Sequence, residues 1–144
     1  MNCTNLTILI DLSNVVFFQN SKQGEMKYYV QMKNILEEKL PGAAIFFIAD
    51  ASTRYRVNDK ESFEKACKAK SIIQTPAGEG ADYYIIEYAR ENGNCIIISR
   101  DLFKDSPHRK SIIDIVVPFS IIGNRIIFSQ KLTKCLESLQ VILN

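Results

Sequence analysis

Three aspartates stand where apolar runs stop. Asp11 ends LTILI at residues 6–10, and Asp50 ends AAIFFIA at residues 43–49. Asp101 follows Ile96–Ile98 after Ser99 and Arg100. In an open α/β sheet, ligands bind just beyond the carboxyl ends of the strands, which is where such acids collect. Asp105 comes four residues after Asp101, so a helical turn over 101–105 predicts both carboxylates on one face. Asp82 precedes Ile85 and Ile86 by three and four residues. It belongs to the inward stripe of a helix, at the end where the dipole favours negative charge. Two full charges ~5 Å apart at an effective dielectric of about 20 repel by roughly 3 kcal/mol. A convergence of these acids therefore calls for protonation or for a divalent cation. Oxygen-only ligands suit Mg²⁺ or Mn²⁺. An open, hydrated ion of that kind can activate a water and stabilise a phosphodiester undergoing in-line displacement. Asn14, three residues past Asp11, can position such a water or the phosphate without adding repulsion. A zinc site finds no ligands: His108 is the only histidine, and Cys3, Cys67, Cys95 and Cys135 have no metal-site spacing.

The elements that must carry these residues alternate. Short apolar strands are expected at Leu6–Ile10, Ala43–Ala49, Ile72–Ile73 and Cys95–Ile98. The consecutive isoleucines at 96–98 mark a strand buried on both faces. A helix over Glu25–Leu40 carries the stripe Tyr29, Met32, Leu36, Leu40 and stops at Pro41-Gly42. Asn58 is the expected cap of a second helix, with Phe63, Ala66 and Cys67 inward and Lys60, Lys65, Lys68 and Lys70 outward. A third helix runs over Ala81–Asn92, closed by Gly93. Residues 19–24, 75–80 and 106–111 read as loops, the last of them basic. Ile112–Val117 reads as an edge or interrupted strand because of Pro118. Gly123-Asn124 between isoleucine pairs predicts a two-residue hairpin turn, and a final helix covers Ser129–Leu143. The order predicts an α/β fold with a mainly parallel central sheet, helices on both faces, and a C-terminal hairpin plus helix.

A chain of 144 residues, 47% hydrophobic and 24% charged, is expected to form one domain over 1–144. A net charge of +2 neither demands nor excludes nucleic acid. The unpaired cysteine pattern and a first apolar stretch that meets Asp11 argue for a cytoplasmic protein without a signal peptide. No run approaches the ~18 apolar residues of a membrane helix.

Three stretches carry a resemblance to a known family: DLSNV at 11–15, GEGADYYIIEYA at 78–89 and IIISRDLFKD at 96–105. They resemble the NYN branch of the PIN-like nucleases, closest to the regnase-type (Zc3h-NYN) ribonuclease domains, over about residues 6–105. YRVNDKESFEKA at 55–66 is similar in flavour. The resemblance implies a PIN-like, Rossmann-like three-layer sandwich and Mg²⁺-dependent endonucleolytic cleavage of single-stranded RNA. It places the metal-site acids at Asp11, Asp82, Asp101 and Asp105, with Asn14 beside them, and it implies a possible homodimer. The chain departs from the family pattern at Leu12, where Gly is usual, and at Ala81, where many regnase-type domains carry a second acid. Glu79 is a candidate substitute.

Substrate contacts are expected from Ser13, from Arg54 and Arg56 after the second apolar strand, and from Arg100 and Lys104 after the isoleucine strand. Tyr55, Tyr83 or Phe103 can stack on an unpaired base. Plainer roles exist for each: Asp82 and Asp50 as caps or turn residues, Asn14 as a turn holder, the arginines as surface charge, the aromatics as packing. Two other function classes compete with a nuclease. One is a catalytically weakened RNA-binding or assembly module on the same fold. The other is a phospho-acceptor or phosphohydrolase domain, which would want a second acid beside Asp11 and finds none.

Overall fold

The isoleucine-rich segments form a five-stranded parallel sheet in the computed structural model, which describes residues 3–18 and 22–139. Its strands are β1 (Thr7–Asp11), β2 (Ala44–Ala49), β3 (Ile72–Gln74), β4 (Cys95–Ile98) and β5 (Val116–Val117). They lie in the order β3-β2-β1-β4-β5. The chain winds outward from β1 through β2 to β3, then crosses to the other side of β1 to lay down β4 and β5. The order reverses between β1 and β4, the place where open α/β sheets bind ligands.

Alternation along the strands splits the core into two layers. Ile8, Ile10, Ile96 and Ile98 face one cluster, which contains Met32 and Leu36 of helix α2 (Met26–Lys39) and Phe63 of helix α3 (Lys60–Lys68). Leu9, Cys95 and Ile97 face the other, with Ile85, Ile86 and Ala89 of helix α4 (Ala81–Glu91) and Ile112 of the short helix α5 (Arg109–Ile112). Helices thus cover both faces, and β4 is buried at every residue, as the unbroken isoleucine run requires. Among the described residues no buried side-chain nitrogen or oxygen lacks a hydrogen-bond partner.

The C-terminal hairpin pairs β6 (Phe119–Ile122) with β7 (Arg125–Phe128). Gly123 and Asn124 both take positive φ, 53° and 68°, the backbone that a type I′ turn demands. Helix α2 holds this turn: Tyr28 donates to Asn124 Oδ1 at 3.0 Å and Gln31 donates to the Asn124 carbonyl at 2.8 Å. The Ile126 amide donates back to Gln31 Oε1 at 2.7 Å. The last helix, α6, spans Lys131–Ser138; the expected continuation through Leu143, like part of the 19–24 loop, lies outside the described residues.

Several expectations change in detail. Asp59, not Asn58, caps α3, accepting from the Ser62 amide at 3.0 Å. Asn58 Oδ1 instead accepts from Met26 N at 3.0 Å and so caps α2. Gly93 does not close α4. Asn92 leaves the helix in an extended conformation and its side chain bonds the Tyr88 carbonyl. Residues 109–115, expected as loop and strand, form α5 and a turn of 3₁₀ helix, so β5 keeps only two residues before Pro118. All four cysteines are unpaired, and burial pushes the Cys95 thiol up to about 12, which leaves it inert. Among the described residues no helix is long and apolar enough to cross a membrane.

Candidate active site

Asp11 is the last residue of β1 and the N-cap of α1 (Leu12–Val16), so one carboxylate ends a strand and starts a helix. It accepts from the Ser13 amide at 3.2 Å and from Asn14 Nδ2 at 3.4 Å. It is only 6% exposed. Burial, then the neighbouring charges of Asp82, Asp101 and Asp50, push its carboxyl up to about 7, although the Ser13 bond pulls the other way.

Asn14 joins the two strands at the switch point. Its Oδ1 accepts from Ser99 Oγ at 3.0 Å, from the Arg100 amide at 2.6 Å and from the Asp101 amide at 3.2 Å. Ser99 is fully buried and its hydroxyl also accepts from the Asp101 amide at 3.0 Å. Sequence reading treated Ser99 only as the stop of the isoleucine run. The available signal was a hydroxyl at the carboxyl end of a strand with no apolar partner to reach. Asn14 therefore spends its side chain on protein groups, setting where Asp11 and Asp101 stand.

Asp82 sits in the first turn of α4 with its carboxyl in hydrogen-bonding reach of Asp11. Its residue surface is open to solvent, yet its carboxyl is raised, first by desolvation and then by Asp101, against the lowering bond with Asp11. A proton on one carboxyl or a bound cation would relieve the repulsion between the two. Asp101 caps its own turn, accepting from Phe103 N at 2.8 Å. Residues 101–105 do not form the expected helical turn. Phe103 turns into the left-handed region at φ 54° and buries its ring. Asp105 lies on an exposed turn, and it does not figure among the charges acting on Asp82. Phe103 is only 3% exposed and is unavailable to a base.

Asp50 belongs to a turn. Burial raises its carboxyl, but bonds from Ser52 and Thr53 outweigh that and hold it low. It lines a cleft of about 270 Å³ with Ser52, Gly78, Glu79 and Gly80. Glu79 accepts from the Tyr84 hydroxyl at 2.8 Å, which ties it to α4.

The cations sort into two kinds. Arg54 is ion-paired with Glu64, and Arg109 braces the loop through the Leu102 carbonyl at 3.2 Å. Arg56 and Arg100 instead lie over aromatic rings, at 4.2 Å from Phe17 and 4.7 Å from Phe18. Lys104 stands exposed beside Asp105, and Ser13 is half-buried beside Asp11. Tyr55 and Tyr83 are 73% and 61% exposed.

Among the described residues no ion pair involves Asp11, Asp50, Asp82 or Asp101. Nor do three or more acidic, histidine or cysteine side chains gather closely enough there to hold a metal ion together. What the site offers is a close, uncompensated Asp11–Asp82 pair with Asp101 adding charge nearby. That donor set fits a hard ion of the Mg²⁺ type, which binds through one or two carboxylates and keeps its waters.

A parallel sheet with helices on both faces and acids at its switch point is an arrangement that PIN-like nucleases share with other α/β folds, and the family match decides among them. The chain belongs to the family described as Zc3h12a-like Ribonuclease NYN domain, which matches residues 4–134. No curated protein sequence matches it. Among solved structures it is similar to nuclear proteinaceous RNase P 2 (PRORP2) from A. thaliana, with a TM-score of 0.70 at 12% identity. That likeness covers 88% of this chain but only 30% of the PRORP2 chain. The PIN domain endonuclease Utp24 aligns with a TM-score of 0.46 at 13% identity, covering 86% of this chain and 91% of that one.

Proposed function

We propose that the chain, as one NYN/PIN-like domain, is a Mg²⁺- or Mn²⁺-dependent endoribonuclease that cleaves phosphodiester bonds of single-stranded RNA. The observation that carries this reading is the buried Asp11 carboxyl, pressed by Asp82 and Asp101 with no ion pair to any of the three among the described residues. Asp11 and Asp82 would hold the ion. Asp101 supplies further negative charge, and Asp105 adds an acid at the rim. When bound, the ion lowers the pKa of a water and offsets the charge that builds on the phosphate. Asn14 fixes the carboxylates rather than touching substrate. Arg56, Arg100 and Lys104 suit the sugar–phosphate backbone, with Arg54 and Ser13 at the edges of that path. The exposed Tyr55 and Tyr83 rings suit unpaired bases, which favours a single strand over a duplex.

The test is a labelled single-stranded RNA incubated with purified protein and Mg²⁺ or Mn²⁺. Internal cuts are expected, lost in Asp11→Asn and in Asp101→Asn. Cleavage that persists in excess chelator sinks the assignment. Light scattering on the same sample tests the homodimer that the family resemblance implies, and cell fractionation tests the cytoplasmic location.

One observation favours the second reading, a binding or assembly module without activity. Ala81 buries its methyl in the core at 8% exposure, so no second carboxylate enters beside Asp82. Protein that binds the RNA but leaves it whole with either metal decides for that reading.

A further inference from the structure

Arg100 is the immediate neighbour of Asp101, yet it makes no ion pair with any acid among the described residues. Its path explains why. The Arg100 amide is fixed to Asn14, while its guanidinium lies over the Phe18 ring at 4.7 Å. Phe18 follows the C-terminal end of α1, two residues past Val16, so the side chain runs away from the end of the helix that Asp11 caps. The Phe18 ring is itself held, edge-on against Tyr28 with 6.5 Å between centroids.

Arg56 repeats the arrangement on the adjacent ring. Its guanidinium lies 4.2 Å from the Phe17 centroid. Its carbonyl accepts from Gly24 N at 2.7 Å, and Val57 bridges to Gly24. A Cβ at Gly24 would come within 3.0 Å of the Phe17 ring, so the glycine makes room for it. By contrast Arg54 and Arg90 are neutralised by Glu64 and Glu87. Among the described residues, nothing accepts a hydrogen bond from the Arg56 or Arg100 guanidinium, so their N–H edges remain for a ligand.

We infer that Phe17 and Phe18 are positioning residues for the substrate: they hold Arg56 and Arg100 off the carboxylates and present both guanidinium groups to successive phosphates of the RNA strand. A cation placed over a ring face is attracted by the ring quadrupole and keeps its donors free in the ring plane's direction. Without the ring, the flexible Arg100 side chain is free to swing onto Asp101 and Asp11, where it would compete with a metal ion. This inference rests on the endoribonuclease reading.

The experiment is a double-mutant cycle read by fluorescence anisotropy of a labelled oligouridine RNA in chelator, with cleavage kinetics in Mn²⁺ alongside. Phe18→Leu is expected to weaken binding about three- to fivefold, the size of an exposed cation–π contact, to raise KM, and to raise the Mn²⁺ concentration needed for half-maximal cleavage, with kcat restored at saturating Mn²⁺. In an Arg100→Ala background the same change is expected to do nothing further. Phe17→Leu should behave likewise against Arg56→Ala. Should Phe18→Leu fail to fold, pentafluorophenylalanine at position 18 keeps the ring's shape and removes its negative face, and the same loss is expected. Equal losses with and without the arginine, or no loss in either variant, overturn the inference while wild-type cleavage keeps the nuclease reading. Wild-type protein that neither binds nor cuts the RNA overturns both.

Discussion

Asn14 and Ser99, 85 positions apart in the chain, are joined by a hydrogen bond of 3.0 Å at the switch point of the sheet. Through that bond the carboxyl end of β1 is locked to the carboxyl end of β4. Asp11 and Asp101 inherit their separation from it.

Replacing the link tests its role. Asn14→Ala removes the acceptor for Ser99 and for two amides. The expected cost is about 1–3 kcal/mol of stability, measured by denaturant unfolding. Activity should fall further than stability accounts for, by about ten- to a hundredfold at a temperature where the variant is folded, because the acids lose their fixed spacing. Full activity in folded Asn14→Ala protein contradicts the positioning role.

The Asp11 carboxyl gives a pH signature. Its pKa is raised on folding to about 7, from about 3.9 in an unfolded chain. The folded state then binds more protons than the unfolded state between those values. Metal-free protein should lose stability as pH rises through that window, by up to about 4 kcal/mol, and level off above it. Asp11→Asn should flatten the profile and stabilise the metal-free protein at pH 8 by ~2 kcal/mol or more. Thermal melts across pH 4–9 in chelator measure this, and a wild-type profile that rises over the window contradicts it.

The same proton competes with metal. Mn²⁺ affinity, followed by calorimetry or by thermal shift, should strengthen as pH rises through about 7 and plateau above that, since the ion takes the ionised carboxylate. A pH-independent affinity would place the ion elsewhere.

The arginines should separate by function. Arg54→Ala removes the partner of Glu64, a solvent-screened pair whose loss is expected to leave stability nearly unchanged. RNA affinity should fall less in Arg54→Ala than in Arg56→Ala or Arg100→Ala. Anisotropy titrations at two salt concentrations compare them directly, and a larger loss in Arg54→Ala reverses the assignment.

Local chemistry was legible in the sequence and long-range chemistry was not. Gly123-Asn124 specifies its turn through its own φ preferences, so the hairpin could be placed from two residues. The strand-ending acids Asp11 and Asp101 were readable for the same reason: an apolar run and its stop are contiguous. Asn58 reads as the cap of the helix that follows it, and only the tertiary fold sends its side chain to Met26, thirty-two residues back. The 101–105 segment reads as a helical turn by spacing, but burial of Phe103 wins and leaves Asp105 on an exposed turn. Phe17 and Phe18 look like ordinary core residues until the arginines that cover them are seen.

The two outermost strands are the shortest in the parallel sheet, with three residues in β3 and two in β5. Pro118 follows β5 at once and has no amide to donate. A sheet with so isoleucine-rich an interior would invite strand-by-strand growth into fibrils if either flank offered a long ladder of free amides and carbonyls. These stunted flanks leave the parallel sheet little on which a further strand could template.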